Sequence, residues 1–223
     1  MPKAGNVSLE LLGTASDFEK IVISAINEAF ANAIKASVDS IKKNLETLVY
    51  DGINDCPELT ELRGGTLRGE MGLTSSEARE ASENISRAVS QSILVEQKKT
   101  SAKKGVGGLN IYVQPSSFGN VLGIENASIT YYSKKNKTPV VLDWLSWLLK
   151  EGDRIIVSSF DFDLEAGRGR TGLGKMKKGG SWRVSPQYAG TEDDNFITRA
   201  LGSRALQGSM ASIIEKAIKK NWK

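Results

Sequence analysis

The segment Asp17–Tyr50, DFEKIVISAINEAFANAIKASVDSIKKNLETLVY, decides how this chain is read. Ser16 followed by Glu19 matches a capping box, in which each side chain satisfies a free backbone N–H of a first helical turn. Beyond it Phe18, Val22, Ile26, Phe30, Ile34, Val38, Ile41, Leu45 and Leu48 recur at three-to-four spacing, the period of one helix face. At about 1.5 Å per residue the stripe runs roughly 50 Å. A single domain of 223 residues covers such a length poorly with its own core. Part of the helix is therefore expected against another subunit, with a plain internal core helix as the competing reading. Ala25, Ala29, Ala33 and Ala36 widen the stripe and allow close helix approach.

Around this helix the composition narrows the choice of chemistry. The chain is long enough for one substantial domain or two small ones, and its hydrophobic content of 39% with 25% charge is that of a globular protein. Lys+Arg 30 against Asp+Glu 26 gives +4, too mild a bias to prove a nucleic-acid partner by itself. There is no histidine, the side chain most used for proton transfer near neutral pH and for transition-metal ligation. A single cysteine, Cys56, forms neither an internal disulfide nor a Cys-rich metal site and lacks the usual activating partner of a thiol nucleophile. Carboxylate, lysine or hard-metal chemistry is the remaining catalytic option; the expectation is no enzyme and no cofactor. The N-terminus MPKAGNVSLELLG lacks a signal-peptide core, and no run approaches the roughly 18 uninterrupted apolar residues of a membrane span. Residence in a cytoplasm and no membrane partner are expected.

Further along, Leu67, Met71 and Leu73 within GGTLRGEMGL loosely fit a short strand, and Ser75 or Ser76 is expected to cap a helix running towards Ile93. Gln97 to Gly108, QKKTSAKKGVGG, reads as a flexible basic loop carrying Lys98, Lys99, Lys103 and Lys104. Leu109–Val113, Ala127–Tyr132, Arg154–Asp163 and Ser181–Ser185 are strand candidates by β-branched and aromatic content, with Arg154–Asp163 as a central strand. Thr138-Pro139 predicts a helix start, Thr as cap and Pro at the first position, for VVLDWLSWLLKEG. Trp144 and Trp147 there read as core anchors ahead of partner-facing hot spots. From Asp194 onward the chain is expected to be helical, with Asp193 and Asp194 at its cap and Leu206, Met210, Ile213, Ile214, Ala217 and Ile218 on its apolar side.

The stretch Asp163–Leu201, DLEAGRGRTGLGKMKKGGSWRVSPQYAGTEDDNFITRAL, carries the remaining signal. Residues 167–180 gather Arg168, Arg170, Lys175, Lys177 and Lys178 among glycines, a mobile basic loop suited to an anionic partner or a neighbouring subunit; a solvated surface loop is the alternative. Gly169 to Met176 nearly matches a phosphate loop, but Met176 stands where a metal-binding hydroxyl belongs and KKGGSW cannot open a helix. Asp161, Asp163 and Glu165 alternate at a strand end, where they either share a hard cation or are solvated charges facing the basic loop, the latter being preferred.

The order of a long amphipathic helix, LRGEMGL, a sheet, a Gly-Arg-Thr-Gly loop leading into GGSWRVSP, YAGTEDDNFITRAL and a last helix resembles the minor tail, neck and tail-completion proteins of tailed bacteriophages. Thr66–Leu73, Asp143–Ile156, Gly169–Pro186 and Asn195–Leu201 carry the likeness, and Ser75–Gly108 has no counterpart in it. The resemblance implies a single α+β domain, an antiparallel β-sheet flanked by a long N-terminal α-helix and a C-terminal α-helix. It also implies a homo-oligomeric ring, commonly of six, between the portal side of the head and the tail tube, as part of a virion assembled in the host cytoplasm. Implied partners are other neck, portal-side adaptor and tail tube or sheath proteins, with non-specific contact to genomic DNA. In that setting Arg168, Arg170, Lys175, Lys177 and Lys178 face the DNA or the next ring, with Lys98, Lys99, Lys103 and Lys104 as a second set. Phe30, Ile34, Val38, Ile41, Leu45, Phe196, Ile197 and Leu201 are expected at subunit contacts. A basic cytoplasmic nucleic-acid-binding protein is the alternative, and a phage-associated hydrolase the third reading.

Overall fold

Residues 14–98, 108–115, 117–132, 139–152, 154–167 and 169–222 are described by the structure, a computed structural model. Helix α1 spans Ala15–Asn54 and is capped by Thr14, not Ser16. The Thr14 hydroxyl accepts from the Asp17 N–H while the Asp17 carboxylate accepts from the Thr14 N–H, so Thr14-x-x-Asp17 supplies the box and Ser16 falls inside the first turn. By length and composition α1 passes as a membrane span, with a window of mean hydropathy 1.2. Its second half is nonetheless protein core: Ile34, Ile41, Leu45, Val49 and Ile53 are buried by the chain itself.

Two helices cover that half. Helix α4, Ser75–Gln91, is capped by a Thr74–Glu77 box, one residue before the expected serines. It lays Ala78, Ala81, Ile85 and Val89 into the core, and the buried Ser82 and Ser86 hydroxyls donate back to the Ala78 and Ser82 carbonyls. Helix α8, Arg204–Asn221, runs antiparallel to α1: Leu206 packs at Gly52, Ala217 at Ser37, and Trp222 meets Phe30 with ring centroids 5.3 Å apart. Small residues allow the two backbones to close up, and Ser37, buried, reaches the Ala217 carbonyl at 2.9 Å and accepts from Asn221 at 3.0 Å. Leu206, Met210, Ile213, Ile214, Ala217 and Ile218 line its packed side as the spacing predicts.

Short elements close the core. Helix α2 is Pro57–Gly64 and α3 is Thr66–Glu70. The segment LRGEMGL, expected as a strand, is helical through Glu70 with Met71 as the C-cap, which sets Leu67 and Met71, both fully buried, four residues apart on one face. Helix α5 is Gly119–Leu122, α6 is Trp144–Leu149 and α7 is Phe196–Gly202. The expected helix start at Pro139 is corrected: Pro139–Leu142 is strand β4, paired antiparallel with β3, Ile129–Tyr132. Pro is tolerated as a first strand residue, and Val140 and Val141 favour the pleat; Thr138 lies outside the described residues. The cap expected at Asp193 or Asp194 is buried Asn195, whose side-chain Oδ1 accepts from the N–H groups of Ile197 and Thr198, and Ser203 splits the expected single tail helix into α7 and α8.

The architecture is α+β, with a long N-terminal helix, small antiparallel sheets and a C-terminal helix. Among the described residues, three two-stranded ribbons stand in place of one sheet: β3–β4, β1 (Leu94–Lys98) with β2 (Gly108–Tyr112), and β5 (Ile155–Asp163) with β6 (Lys175–Arg183). Arg154–Asp163 is consequently not a central strand; among the described residues β5 has β6 as its one strand partner. The basic loop expected over 97–108 begins and ends as strand, with Lys98 in β1 and Gly108 in β2, while Lys99, Lys103 and Lys104 lie outside the described residues.

Candidate functional site

The β5–β6 ribbon holds Lys175, Lys177 and Lys178 of the cations singled out in the sequence. Its pairing slips between Ser158 and Phe160. There Ser159 takes a left-handed φ of 66°, opposite Gly179 at 115° and Gly180 at 75°. A bulge with two glycines across from it bends a ribbon, since glycine alone adopts such backbone freely. It divides the ribbon into a base, around Val157 and Trp182, and a distal half, Phe160–Asp163 with Lys175–Lys178. The base is anchored by Trp182, buried and edge-on to Trp147 of α6 at 5.6 Å. Trp144 is fully buried, with its indole N–H donating to the Asn126 carbonyl at 2.8 Å, so both α6 tryptophans serve packing.

Alternation of side chains gives the distal half two different faces. On one, Asp161 lies opposite Lys177 and Asp163 opposite Lys175, with a diagonal ion pair of 2.8 Å from Lys177 Nζ to Asp163 Oδ2. That bond lowers the Asp163 carboxyl below its ordinary range and raises the Lys177 ammonium. On the other, Phe160, Phe162 and Met176 look into a groove of about 470 Å³ whose opposite wall is Gly69, Ile129, Leu142 and Trp147. Gly69 is needed there, because a Cβ would stand 2.8 Å from Phe162 Cζ. Glu70 sits in the same groove, and burial, with repulsion from Glu61 and Asp161, pushes its carboxyl up.

The expectation of a glycine loop over 167–180 is corrected in its second half: Lys175, Lys177 and Lys178 are on strand β6. The first half is a turn closed by its own bonds, Gly169 N–H to the Gly174 carbonyl at 2.9 Å and Thr171 Oγ1 to the Leu173 carbonyl at 2.7 Å. Arg170 ties this turn to the body, donating to Glu77 of α4 at 3.2 Å and to the Gly72 carbonyl. Of the five cations, then, Arg170 and Lys177 already hold carboxylates, Lys175 and Lys178 are exposed with no carboxylate partner among the described residues, and Arg168 lies outside the described residues.

The other motifs resolve locally. The near-match to a phosphate loop runs into β6, so no helix N-terminus stands behind its amides. Asp163 Oδ1 accepts the N–H groups of Glu165 and Ala166 at 2.9 and 3.0 Å, a turn-capping role, and no group of three or more His, Cys, Asp or Glu side chains gathers among the described residues. Cys56 is buried at the start of α2, and loss of hydration pushes its thiol up to about 12, far from a reactive thiolate at neutral pH.

The residues assigned to subunit contacts divide. Ile34, Ile41, Leu45, Phe196 and Ile197 are sealed in the chain's own core, Val38 and Leu201 are half-buried against it, and Phe30 is taken up by Trp222. The surface the chain leaves uncovered lies upstream, at Phe18 and Ile21, each 66% exposed, with Val22, Ile23 and Ile26. Sequence reading missed the bridge joining α2 to α7, in which Arg199 donates to the buried Glu58 at 2.7 Å and to Asp194 at 2.9 Å. Its partners are 141 residues apart, a separation at which no spacing rule applies. The groove was missed for the same reason, its walls coming from α3, β3, β4, α6 and the ribbon. No protein-family model, characterised protein or solved structure matches the chain.

Proposed function

We propose that this chain is a structural protein of a tailed-bacteriophage virion, a ring subunit of the head-to-tail connection that joins head and tail and lines the DNA passage. The observation that carries the reading is the pair of surfaces left open by a well-packed body: the apolar first turns of α1, and a ribbon bearing Lys175, Lys177 and Lys178 on exposed backbone. The first suits contact with another protein chain. The second suits weak contact with a passing polyanion, because lysines on one strand attract phosphate without reading base edges. The resemblance of Thr66–Leu73, Asp143–Ile156, Gly169–Pro186 and Asn195–Leu201 to neck and tail-completion proteins adds the place in the particle. In this role the protein works by packing and electrostatics, without catalysis.

Mass spectrometry and electron microscopy of particles made from the genome encoding this chain provide the test. Several copies in a ring at the head–tail junction are expected; a chain absent from purified particles overturns the proposal. The lysine-bearing strand also suits a basic nucleic-acid-binding protein of the cytoplasm, and a duplex titration separates the two. The connector reading expects weak, sequence-independent binding that falls steeply with salt, whereas tight preference for one duplex at physiological salt favours the alternative. Lys175→Gln with Lys178→Gln is the variant to use, since both side chains are exposed and Arg170 is needed to hold its turn. It is expected to leave the melting temperature unchanged and to lower DNA retention in joined particles.

A further inference from the structure

The first turns of α1 and the groove beneath the ribbon are both apolar and both open, and they belong to the same chain. We propose that the segment Ala15–Ala29 of one copy docks in the groove beneath the β5–β6 ribbon of a second copy, so that copies join head to tail. The inference deepens the ring reading by naming the two surfaces that meet, and rests on that reading only for the claim that the contacts close into a ring.

The shape of the helix surface argues for a concave partner. At about 100° per residue, Phe18, Ile21, Val22, Ile23 and Ile26 spread over about 200° of the circumference, interrupted by Glu19. A helix lying on one flat face needs a stripe only about half as wide. The four-residue steps from Phe18 to Ile34 also turn the apolar positions by about 40° each, so Phe18 and Ile21 have wound away from the side that packs on the body, while Ile23 and Ile26 continue that side beyond the point where the body ends. Phe18, Ile21, Val22 and Ile26 stand at i, i+3, i+4 and i+8, the spacing by which an amphipathic helix seats its anchors in a groove.

The groove offers the matching shape and charge. Its walls are aromatic and aliphatic, and its mouth is open, with Phe160 42% and Met176 38% exposed. The helix segment carries Asp17, Glu19 and Glu28 against Lys20, an excess of negative charge. The groove's charged lining is Glu70, Arg170, which Glu77 neutralises, and Lys175, the one cation of that lining with no carboxylate partner among the described residues and so the one open to the helix carboxylates. The helix cannot fill its own groove, since α1 continues unbroken from Ala15 to Asn54 and its first turns stay exposed. Each copy gives one surface and receives on another, a heterologous contact that propagates into rings or filaments.

Sedimentation velocity of the full chain tests this with Ile21→Asp, which spoils the helix, and Phe160→Asp, which spoils the groove; Met176→Glu replaces the latter if it melts early. The parent chain is expected to associate, and each variant alone to associate at least about tenfold more weakly, the effect of losing one anchor. An equimolar mixture of the two variants is expected to form a one-to-one complex and nothing larger, because one intact helix then meets one intact groove. A parent chain that stays monomeric, a groove variant that assembles like the parent, or a mixture with no complex overturns the docking. Flotation of monomeric parent chain with phosphatidylglycerol vesicles through Ile21 also overturns it, in favour of a membrane. One-to-one complementation by a chain absent from the neck of the particle would sink the connector reading and leave the docking standing.

Discussion

The two halves of α1 are built from the same residue types and meet opposite fates. Ile41, Leu45, Val49 and Ile53 are fully buried, while Phe18 and Ile21 are each 66% exposed. The division falls near Phe30, where Trp222 caps the end of α8 and β1 reaches α1 through a bond from Gln97 to the Ala31 carbonyl. Upstream of that point the apolar side chains of α1 from Phe18 to Ile26 are exposed. Hydrophobic spacing states which side of a helix avoids water; what covers that side depends on where the rest of the chain stops.

The sharpest way to break the comparison is to place the same charge on both halves. Ile41→Asp leaves an unpaired carboxylate in the core and is expected to cost more than about 4 kcal/mol, abolishing the cooperative unfolding transition seen by circular dichroism. Ile21→Asp should stay within about 0.5 kcal/mol of the parent, as an exposed substitution does. Equal loss in both variants would mean that the first turns are core after all.

A smaller effect is expected inside the body, where Arg199→Ala leaves Glu58 buried without its cation. Removing one partner of a buried pair costs about 3–5 kcal/mol, and since the Arg199 side chain is 39% exposed the expected loss is reduced to about 2 kcal/mol. A shift in urea midpoint at constant slope measures it. An unchanged midpoint would show that the bridge adds nothing to packing.

The two capping boxes sharpen the contrast further. Thr74→Ala in α4 should lower global stability by about 1 kcal/mol, whereas Thr14→Ala should leave it unchanged and reduce helical ellipticity slightly. The same chemistry at a packed and a free helix end is thereby compared directly.

The smallest effect concerns pH. Burial raises the folded-state pKa of Glu70 above its ordinary 4.5. The contribution of this group therefore favours folding below that value and is lost as pH rises through the folded pKa. Glu70→Gln is expected to match the parent at about pH 4 and to exceed its stability at neutral pH, as read by denaturation at both pH values. A variant less stable than the parent at neutral pH would show that the carboxylate has a partner in the groove.

Much of the helical frame was legible because its signals are local. The 3.6-residue period of α1 and α8, the existence of α4, though not its Thr74 cap, and the packing role of Trp144 and Trp147 all lie within short windows. Strand content at β2, β3 and β5 was legible for the same reason. The errors came where two local readings competed. Leu67, Met71 and Leu73 suit either a strand or a helix, and packing of Leu67 and Met71 on one face chose the helix. Pro139 suits either a helix start or a strand end, and pairing of Val140 and Val141 with β3 chose the strand.

By itself, then, the sequence determined the class of the fold, its long first helix, its amphipathic last helix and the concentration of positive charge near residue 175, because each follows from periodicity or composition over neighbouring residues. The tertiary structure alone decided that only half of the α1 stripe is core, that Lys175, Lys177 and Lys178 ride on a strand, that Arg199 neutralises Glu58, and that a groove opens beneath the ribbon. Those features depend on surfaces brought together from distant parts of the chain, and no local pattern encodes which distant side chain will arrive.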